Sequence, residues 1–431
     1  MEVLGEGVDV PDVDVLLLLR PTQSATLFTQ QLGRGLRRAE GKSHLTVIDL
    51  IGQHRREFRF EDRLRAIVDP RRGRISDQVR DDFPFLPAGC AIDLDRQSRE
   101  LVLDNLRAAA LRTRWRTLID DLSATSSEVS IGDFIEAQGR RLEDVYRGKR
   151  SWTQLRREVG KQTQPATDPE FEAGRLRALG RMLHVDDPER ATLYRRLLVA
   201  DSPPDTDQTD ERRTRLLTML AWDLGSGTAG SDSLGEFFGA LWAKGQVRAE
   251  LIELLDALDA RSRTRALPSS LDPTVPLTPH ARYSRQEVIA ALGFGSGVKP
   301  KVTQGGILWV PEAASDVFFV DLRKSERDYS PTTMYRDYAI SRDLFHWESQ
   351  SRQTPRQPTV QRYINHASEG SKVLLFVREQ KRGELGTAPF HFLGPATYVS
   401  HEGERPVAFT WRLKHPMPEE LFEVARSVSA A

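Results

Sequence analysis

Val13-Asp14-Val15-Leu16-Leu17-Leu18-Leu19 is an apolar run bounded by Pro11 and Pro21, and it has the length and texture of a strand buried in a parallel sheet. Ser24 follows, a residue suited to capping a helix. Ala25, Phe28, Leu32 and Leu36 then recur on one face to about Arg38. Ala39-Glu40-Gly41-Lys42-Ser43 reads as a turn and Leu45 to Ile51 as the next apolar strand. Strand, helix and strand within about forty residues make one βαβ unit of a parallel α/β sheet. Parallel sheets are covered on both faces and normally contain further strands, so the unit is not expected to stand alone.

Downstream the texture changes twice. From about Phe83 to Ala266 the spacing is helical: Arg99 to Leu122, Arg175 to Leu198 and Leu234 to Leu258 carry apolar residues at helical intervals. Ser130 to Val145 and Ser151 to Val159 read as shorter helices that each open on a capping serine. Leu267 to Pro279 holds four prolines and reads as a linker. Beyond it, Ser284 can cap a short helix to about Leu292. Gly305 to Val310, Val317 to Leu322, Lys372 to Arg378, Phe390 to Leu393, Thr397 to Ser400 and Val407 to Leu413 read as strands of an α+β or barrel-like domain.

A chain of 431 residues, 39% hydrophobic, has room for more than one core. Lys+Arg and Asp+Glu are both 62, so no global field draws the molecule to nucleic acid, and any DNA surface must be local. The single cysteine, Cys90, rules out an intrachain disulfide and a thiolate metal cage. The nine histidines show no recognisable ligand spacing, so no metal site is expected. No apolar run approaches the about 20 residues of a membrane span, and a cytoplasmic location with no membrane partner is the expectation.

Two motifs flank the first strand. Gly5-Glu6-Gly7-Val8-Asp9-Val10-Pro11 precedes it, and Gln30-Gln31-Leu32-Gly33-Arg34-Gly35-Leu36-Arg37 lies in the helix that follows. In order and around one strand, they resemble motifs V and VI of superfamily two helicases, the group of DEAD/DEAH-box and restriction-type translocases. In that family ATP sits between two RecA-like lobes, and motif VI arginines reach the γ-phosphate, where a guanidinium stabilises transition-state charge. The resemblance implies that Arg34 and Arg37 are the catalytic arginines, with Gln30 and Gly33 shaping the helix start. It also implies that Gly7 lets the loop backbone approach the nucleotide and Asp9 contacts the ribose. Arg20 and Thr22 sit at the C-terminal end of the strand, where ligands of open α/β sheets gather, and are candidates for the nucleic-acid backbone.

Gly41-Lys42-Ser43 imitates the end of a phosphate-binding loop, but the upstream glycine is missing at the required spacing. The turn also joins helix to strand rather than strand to helix. With no Walker A motif and no Asp-Glu-x-His or Asp-Glu-x-Asp box, the lobe that would cradle phosphates and hold Mg²⁺ is expected outside these residues. ATP and Mg²⁺ are thus the implied cofactors, and DNA and an N-terminal helicase half or nuclease-bearing polypeptide the implied partners. The expectation is the C-terminal part of a larger helicase or one half of a split one, unable to hydrolyse ATP alone.

The segment from about Ser284 to Pro418 includes Asp343-Leu344-Phe345-His346-Trp347-Glu348-Ser349-Gln350, Gln361 to His366, Val373 to Glu379 and Phe390 to His401. It resembles an uncharacterised domain that follows helicase lobes in bacterial restriction and phage-defence proteins. Phe345, His346, Trp347, Ser349 and Gln350 offer the stacking and base-edge groups of a nucleic-acid surface, with Arg362, His366 and His401 as polar company and Trp347, Gln350 and Arg362 the leading candidates. Phe345 and Trp347 also alternate at period two, as partners inside a β core would. Glu379-Gln380-Lys381 after a strand has the form of a Mg²⁺-dependent PD-(D/E)xK nuclease, with Asp343 or Glu348 as a second acid. A binding module carrying an inert helicase remnant is a further alternative. The expected fold class is therefore mixed α/β. Residues 1–75 would be a partial second RecA-like lobe, 76–266 a helical region, 267–280 a linker and 281–431 a β-rich α+β domain.

Overall fold

The computed structural model describes residues 13–18, 25–36, 39, 42–49, 60–68, 75–84, 86, 90–112, 115–162, 168–206, 210–226, 231–262, 267–295, 297–301, 303, 305–323, 337–350 and 353–427. The chain divides into two compact units, Met1–Thr117 and Leu118–Ala431.

The first unit opens on the expected βαβ arrangement. β1 (Val15–Leu18), α1 (Ala25–Gly35) and β2 (Thr46–Asp49) follow in order, and the strands pair in parallel from Val15 against Thr46 to Leu18 against Asp49. Phe28 buries the inner face of α1, and Arg63 of α2 (Phe60–Ile67) lies 4.2 Å over its ring. The same guanidinium is paired with Asp49, so α2 is tied to both α1 and β2. Phe60, Leu64, Val79, Phe83, Val102 and Leu106 then form a core among α2, α3 (Ile75–Arg80) and α4 (Arg96–Arg112). Among the described residues the sheet stops at two strands.

The helices come shorter than the periodicity alone suggests. Arg99 to Leu122 is shared between α4 and α5 (Trp115–Ser123). Ser130 caps α6 (Ile131–Ala137), and a left-handed Gly139 separates it from α7 (Leu142–Tyr146). Ser151 caps α8 (Trp152–Glu158) through the Gln154 N–H. Arg175 to Leu198 is broken at Pro188: α9 (Pro169–Leu179) passes into a 3₁₀ turn, and α10 (Pro188–Leu198) restarts with Asp187 as its cap. α11 (Glu211–Asp223), α12 (Leu234–Ala243) and α13 (Gly245–Arg261) complete the helical part. Glu250 of α13 is buried and accepts the N–H groups of Trp152 and Thr153 and the Tyr146 hydroxyl at 2.8, 2.7 and 2.9 Å. A carboxylate from one helix thus terminates another, which suits the positive end of α8.

Residues 267–280 hold no helix or strand, yet Val275 and Leu277 are buried. The His280 N–H donates to the Phe392 carbonyl at 2.6 Å, and that of Thr278 to the Tyr283 hydroxyl at 2.8 Å. The proline-rich stretch is therefore a packed strap within the second unit.

After β3 (Arg282–Tyr283) comes α14 (Arg285–Ala291), whose N-terminus is a capping box: Ser284 accepts from the Glu287 N–H, and Glu287 reaches back to the Ser284 N–H. The strands that follow are β4 (Ile307–Val310), β5 (Ser315–Asp321), β6 (Tyr338–Ala339), β7 (Leu344–Glu348) and β8 (Lys372–Arg378). A small hairpin, β9 (Arg382–Gly383) with β10 (Gly386–Thr387), leads to β11 (Phe390–Glu402) and β12 (Ala408–Leu413). α15 (Pro358–Asn365) precedes β8, and α16 (Glu419–Ser427) ends the described chain.

The main sheet has eight strands in the order β4-β5-β8-β11-β12-β7-β6, with β3 added on β11. It is mixed, because β5 and β8 run parallel while the other pairs are antiparallel. Phe318 on β5 and Trp347 on β7 are four strand steps apart, about 19 Å in a flat sheet. Their rings nevertheless stack at 4.1 Å. The sheet is therefore curled until its inner face meets itself, and Trp411, Phe409, Tyr363, Val360, Leu375 and Leu421 fill the interior. No helix among the described residues is long and apolar enough to cross a membrane.

Candidate functional site

The motif-bearing helix α1 has two dissimilar faces. Phe28 and Gly35 are buried, and a Cβ on Gly35 would come within 2.7 Å of the Leu45 side chain, so helix and chain approach closely at this glycine. Gly33, by contrast, is exposed and faces open space. Gln30, Gly33 and Arg34 fall on one stripe by helical spacing. The side chains of Gln30 and Arg34 lie outside the described residues, as do Gly7, Asp9, Arg20, Thr22 and Arg37 altogether. Lys42, part of the sequence that imitates a phosphate loop, donates to the Gly35 carbonyl at 2.5 Å and so closes the C-terminal end of α1.

In the second unit the nucleic-acid candidates separate. Trp347 is 4% exposed and stacked on Phe318, and Phe345 is fully buried, so both point into the core of the curled sheet. The alternation along β7 is inward for these two and outward for Leu344, His346 and Glu348. Gln350 is exposed just past the strand, where its N–H donates to Gln353. Arg362 of α15 makes two 2.7 Å bonds to the carboxylate of buried Asp316 and lies 4.1 Å over the Trp309 ring. Burial pushes Asp316 above the usual carboxylate range, with Arg362 opposing it, and the same bond raises Arg362. His366 accepts the Tyr398 N–H at 3.1 Å, and His401 is bonded to the Tyr398 hydroxyl at 2.7 Å. These two histidines thus bracket a tyrosine of β11.

The strand-end acid Glu379 is ion-paired with Arg323 at 2.9 Å. β7 runs antiparallel to β8 through the intervening β11 and β12, which puts Glu348 at the opposite rim from Glu379 and Lys381. Asp343 accepts the Ser341 hydroxyl at 2.7 Å, and its carbonyl accepts the Leu413 N–H, which the register places level with Val373 at the start of β8 and away from Glu379.

A cluster that no local spacing announces lies where the helical part of the second unit meets α14. His184, Asp223 and Glu287 are all buried, and ligand-capable atoms from the three lie within 4.8 Å of one another. Arg190 is fully buried beside them: it is ion-paired with Asp187 and Glu287, donates to the Arg282 carbonyl at 2.7 Å, and lies 4.2 Å over the Tyr283 ring. Burial and the facing Glu287 carboxyl push Asp223 well up, whereas His184 and Arg190 hold Glu287 far down despite its burial. His184 and Glu287 are 103 positions apart, so only the fold brings them together.

Residues 277–425 match the model of a domain of unknown function, DUF3427. The match contains the whole segment whose motifs resembled a helicase-associated bacterial domain. Over 50 residues, 12% of the chain, the sequence is 48% identical to the Saccharomyces cerevisiae protein named "Putative ATP-dependent helicase IRC3". The aligned region is 7% of that protein's length. The chain is thus similar, over these two stretches, to a domain without an assigned activity and to a helicase.

Proposed function

We propose that the chain is the C-terminal portion of an ATP-dependent DNA helicase or translocase of superfamily two. In this reading the Gln30 to Arg37 motif, which begins on α1 and runs past its end, offers Arg34 and Arg37 to the γ-phosphate of an ATP whose phosphate cradle and Mg²⁺ belong to a lobe outside these residues. Gln30 and Gly33 line the approach, Gly7 and Asp9 meet the nucleotide, and Arg20 and Thr22 touch the DNA backbone.

The observation that carries this reading is the exposed apolar surface of the first parallel sheet. Val15, Leu17 and Ile48 are 51%, 50% and 45% exposed on a sheet that has two parallel strands among the described residues, although parallel strands are normally covered on both faces. Further strands and helices of a second RecA-like lobe would cover them, and the 50-residue similarity to a helicase agrees with this. The test is an ATPase assay with DNA. The chain alone should give no turnover, and mixing it with a polypeptide that carries the phosphate-binding lobe should give DNA-stimulated hydrolysis. Robust turnover by the chain alone would overturn the proposal.

A second reading takes its support from the extent of the family match, which covers residues 277–425 and is far longer than the helicase similarity. Here the helicase-like segment is inert and the C-terminal domain is a DNA or partner module. Silence of the mixture, together with DNA binding by the chain that Gln350→Ala weakens, would favour it.

A further inference from the structure

We infer that His184, Asp223 and Glu287 hold a divalent cation of the zinc class, which fastens the helical part of the second unit to the first helix of the C-terminal domain. The argument starts from the imidazole. His184 Nδ1 is 2.6 Å from the Arg181 carbonyl, a contact only a protonated Nδ1 can make, so in the neutral ring Nε2 carries the lone pair. That lone pair faces Glu287 Oε2 at 2.5 Å. A positive centre must lie between them, either the proton of an imidazolium, which makes this contact an ion pair, or a metal ion in its place. The arrangement matches the usual design of a metal-bound histidine, in which the distal nitrogen is fixed by a backbone carbonyl.

Asp223 supplies the independent second observation. Its side chain is 3% exposed, and its Oδ2 has no hydrogen-bond partner, although Oδ1 accepts the Ser284 hydroxyl at 3.3 Å. A buried carboxylate oxygen left in this condition is costly unless a cation or proton meets it. It belongs to the same group of ligand atoms within 4.8 Å. Zinc bonds to nitrogen and carboxylate oxygen are about 2.0–2.2 Å long, so His184 Nε2 and Glu287 Oε2 need to part by only about 1 Å to admit the ion. Two carboxylates and an imidazole suit zinc, with Mn²⁺ as the harder competitor. Arg190 occupies the other oxygen of Glu287 and balances Asp187, which leaves two carboxylate charges to neutralise the ion.

The ligands come from the 3₁₀ turn after α9, the end of α11 and the first turn of α14. All three are buried, so the ion is loaded as the unit folds and its binding energy is folding energy.

The experiment uses the full chain. Metal analysis after dialysis should find about one zinc per chain, and Asp223→Asn and His184→Gln should each lose most of it. A strong chelator should lower the Tm of the unsubstituted protein, added Zn²⁺ should restore it, and neither should move the Tm of Asp223→Asn. Co²⁺ loading should give a visible ligand-field band that His184→Gln abolishes. Circular dichroism establishes that each variant is folded, and if Asp223→Asn does not fold, the chelator and Co²⁺ results on the unsubstituted protein decide. Less than about a tenth of an equivalent of any transition metal, with no Tm response to Zn²⁺ or Mn²⁺, would overturn the inference and leave a purely protonic cluster.

Discussion

All seven residues of β5 are buried, whereas Val15 and Leu17 of β1 leave half of their surface to solvent. Both strands pair in parallel, with β8 and β2 respectively, although β5 carries Ser315, Asp316 and Asp321 besides its apolar residues and β1 is wholly apolar. The difference lies in what surrounds them. β5 has a neighbour on each edge, an interior of stacked aromatic rings on one side and Phe376 and Phe390 against Phe319 on the other. Among the described residues β1 has one neighbouring strand, β2, and the helix α1 beside it. Two parallel strands thus differ in how far their surroundings cover them: β5 closes a domain, and under the proposed function the exposed face of β1 is where further protein would pack.

The largest effect should come from damaging the closed region. Trp411 is fully buried and stacks on Phe409 with ring centroids 5.6 Å apart. Trp411→Ala should cost about 3–5 kcal/mol, the usual penalty for emptying a large aromatic site, read as a lowered urea midpoint. A loss below about 1 kcal/mol would mean that the interior is less tightly packed than the stacking implies.

A smaller effect tests the same region by pH. His391 of β11 is desolvated and lies beside Arg282, and the two lower its pKa from 6.5 to about 4. The unfolded chain therefore binds a proton between these values that the folded chain refuses. Stability should be full above about pH 6.5 and decline as pH falls toward 4, by at most about 1.4 kcal/mol per unit. Replacing the residue with glutamine should flatten that part of the profile. An unchanged profile would assign the slope to other groups.

The smallest effect on stability is expected at the open region, and this sharpens the comparison most. Val15→Thr with Leu17→Thr puts β-branched residues of high strand propensity on both exposed positions and should shift the unfolding free energy by no more than about 0.5 kcal/mol. The same pair should nevertheless weaken association with a phosphate-binding lobe in a pull-down or titration. A large destabilisation without any binding defect would show that these positions are packed by the chain itself.

The sequence was most readable where the signal is local. Ser130, Ser151 and Ser284 cap the helices expected of them, and Lys372–Arg378 is a strand from end to end as read. Two expected strands, Phe390 to Leu393 and Thr397 to Ser400, are one continuous β11. Gly394-Pro395 looks like a break, but Gly394 adopts φ +97° at a shift of register and the strand bends without ending. Arg175 to Leu198 erred the other way, since α9 ends at Leu179, a 3₁₀ turn spans Gly180–His184, and a new helix starts at Pro188. Trp347 and Phe345 looked equally suited to stacking a base or filling a core, and only the curl of the sheet shows which way they point. The His184, Asp223 and Glu287 cluster was illegible in the sequence because three distant elements supply one group each.

The central proposal is that the Gln30 to Arg37 motif delivers a guanidinium pair, Arg34 and Arg37, to a nucleotide held by other sequence. The most direct measurement is DNA-stimulated ATP hydrolysis by the chain combined with a phosphate-binding helicase lobe, comparing the unsubstituted protein with Arg34→Ala/Arg37→Ala. The account predicts that the double variant still forms the complex but loses about 10³-fold or more in kcat, the scale of a missing arginine finger. Undiminished hydrolysis by the double variant would contradict it.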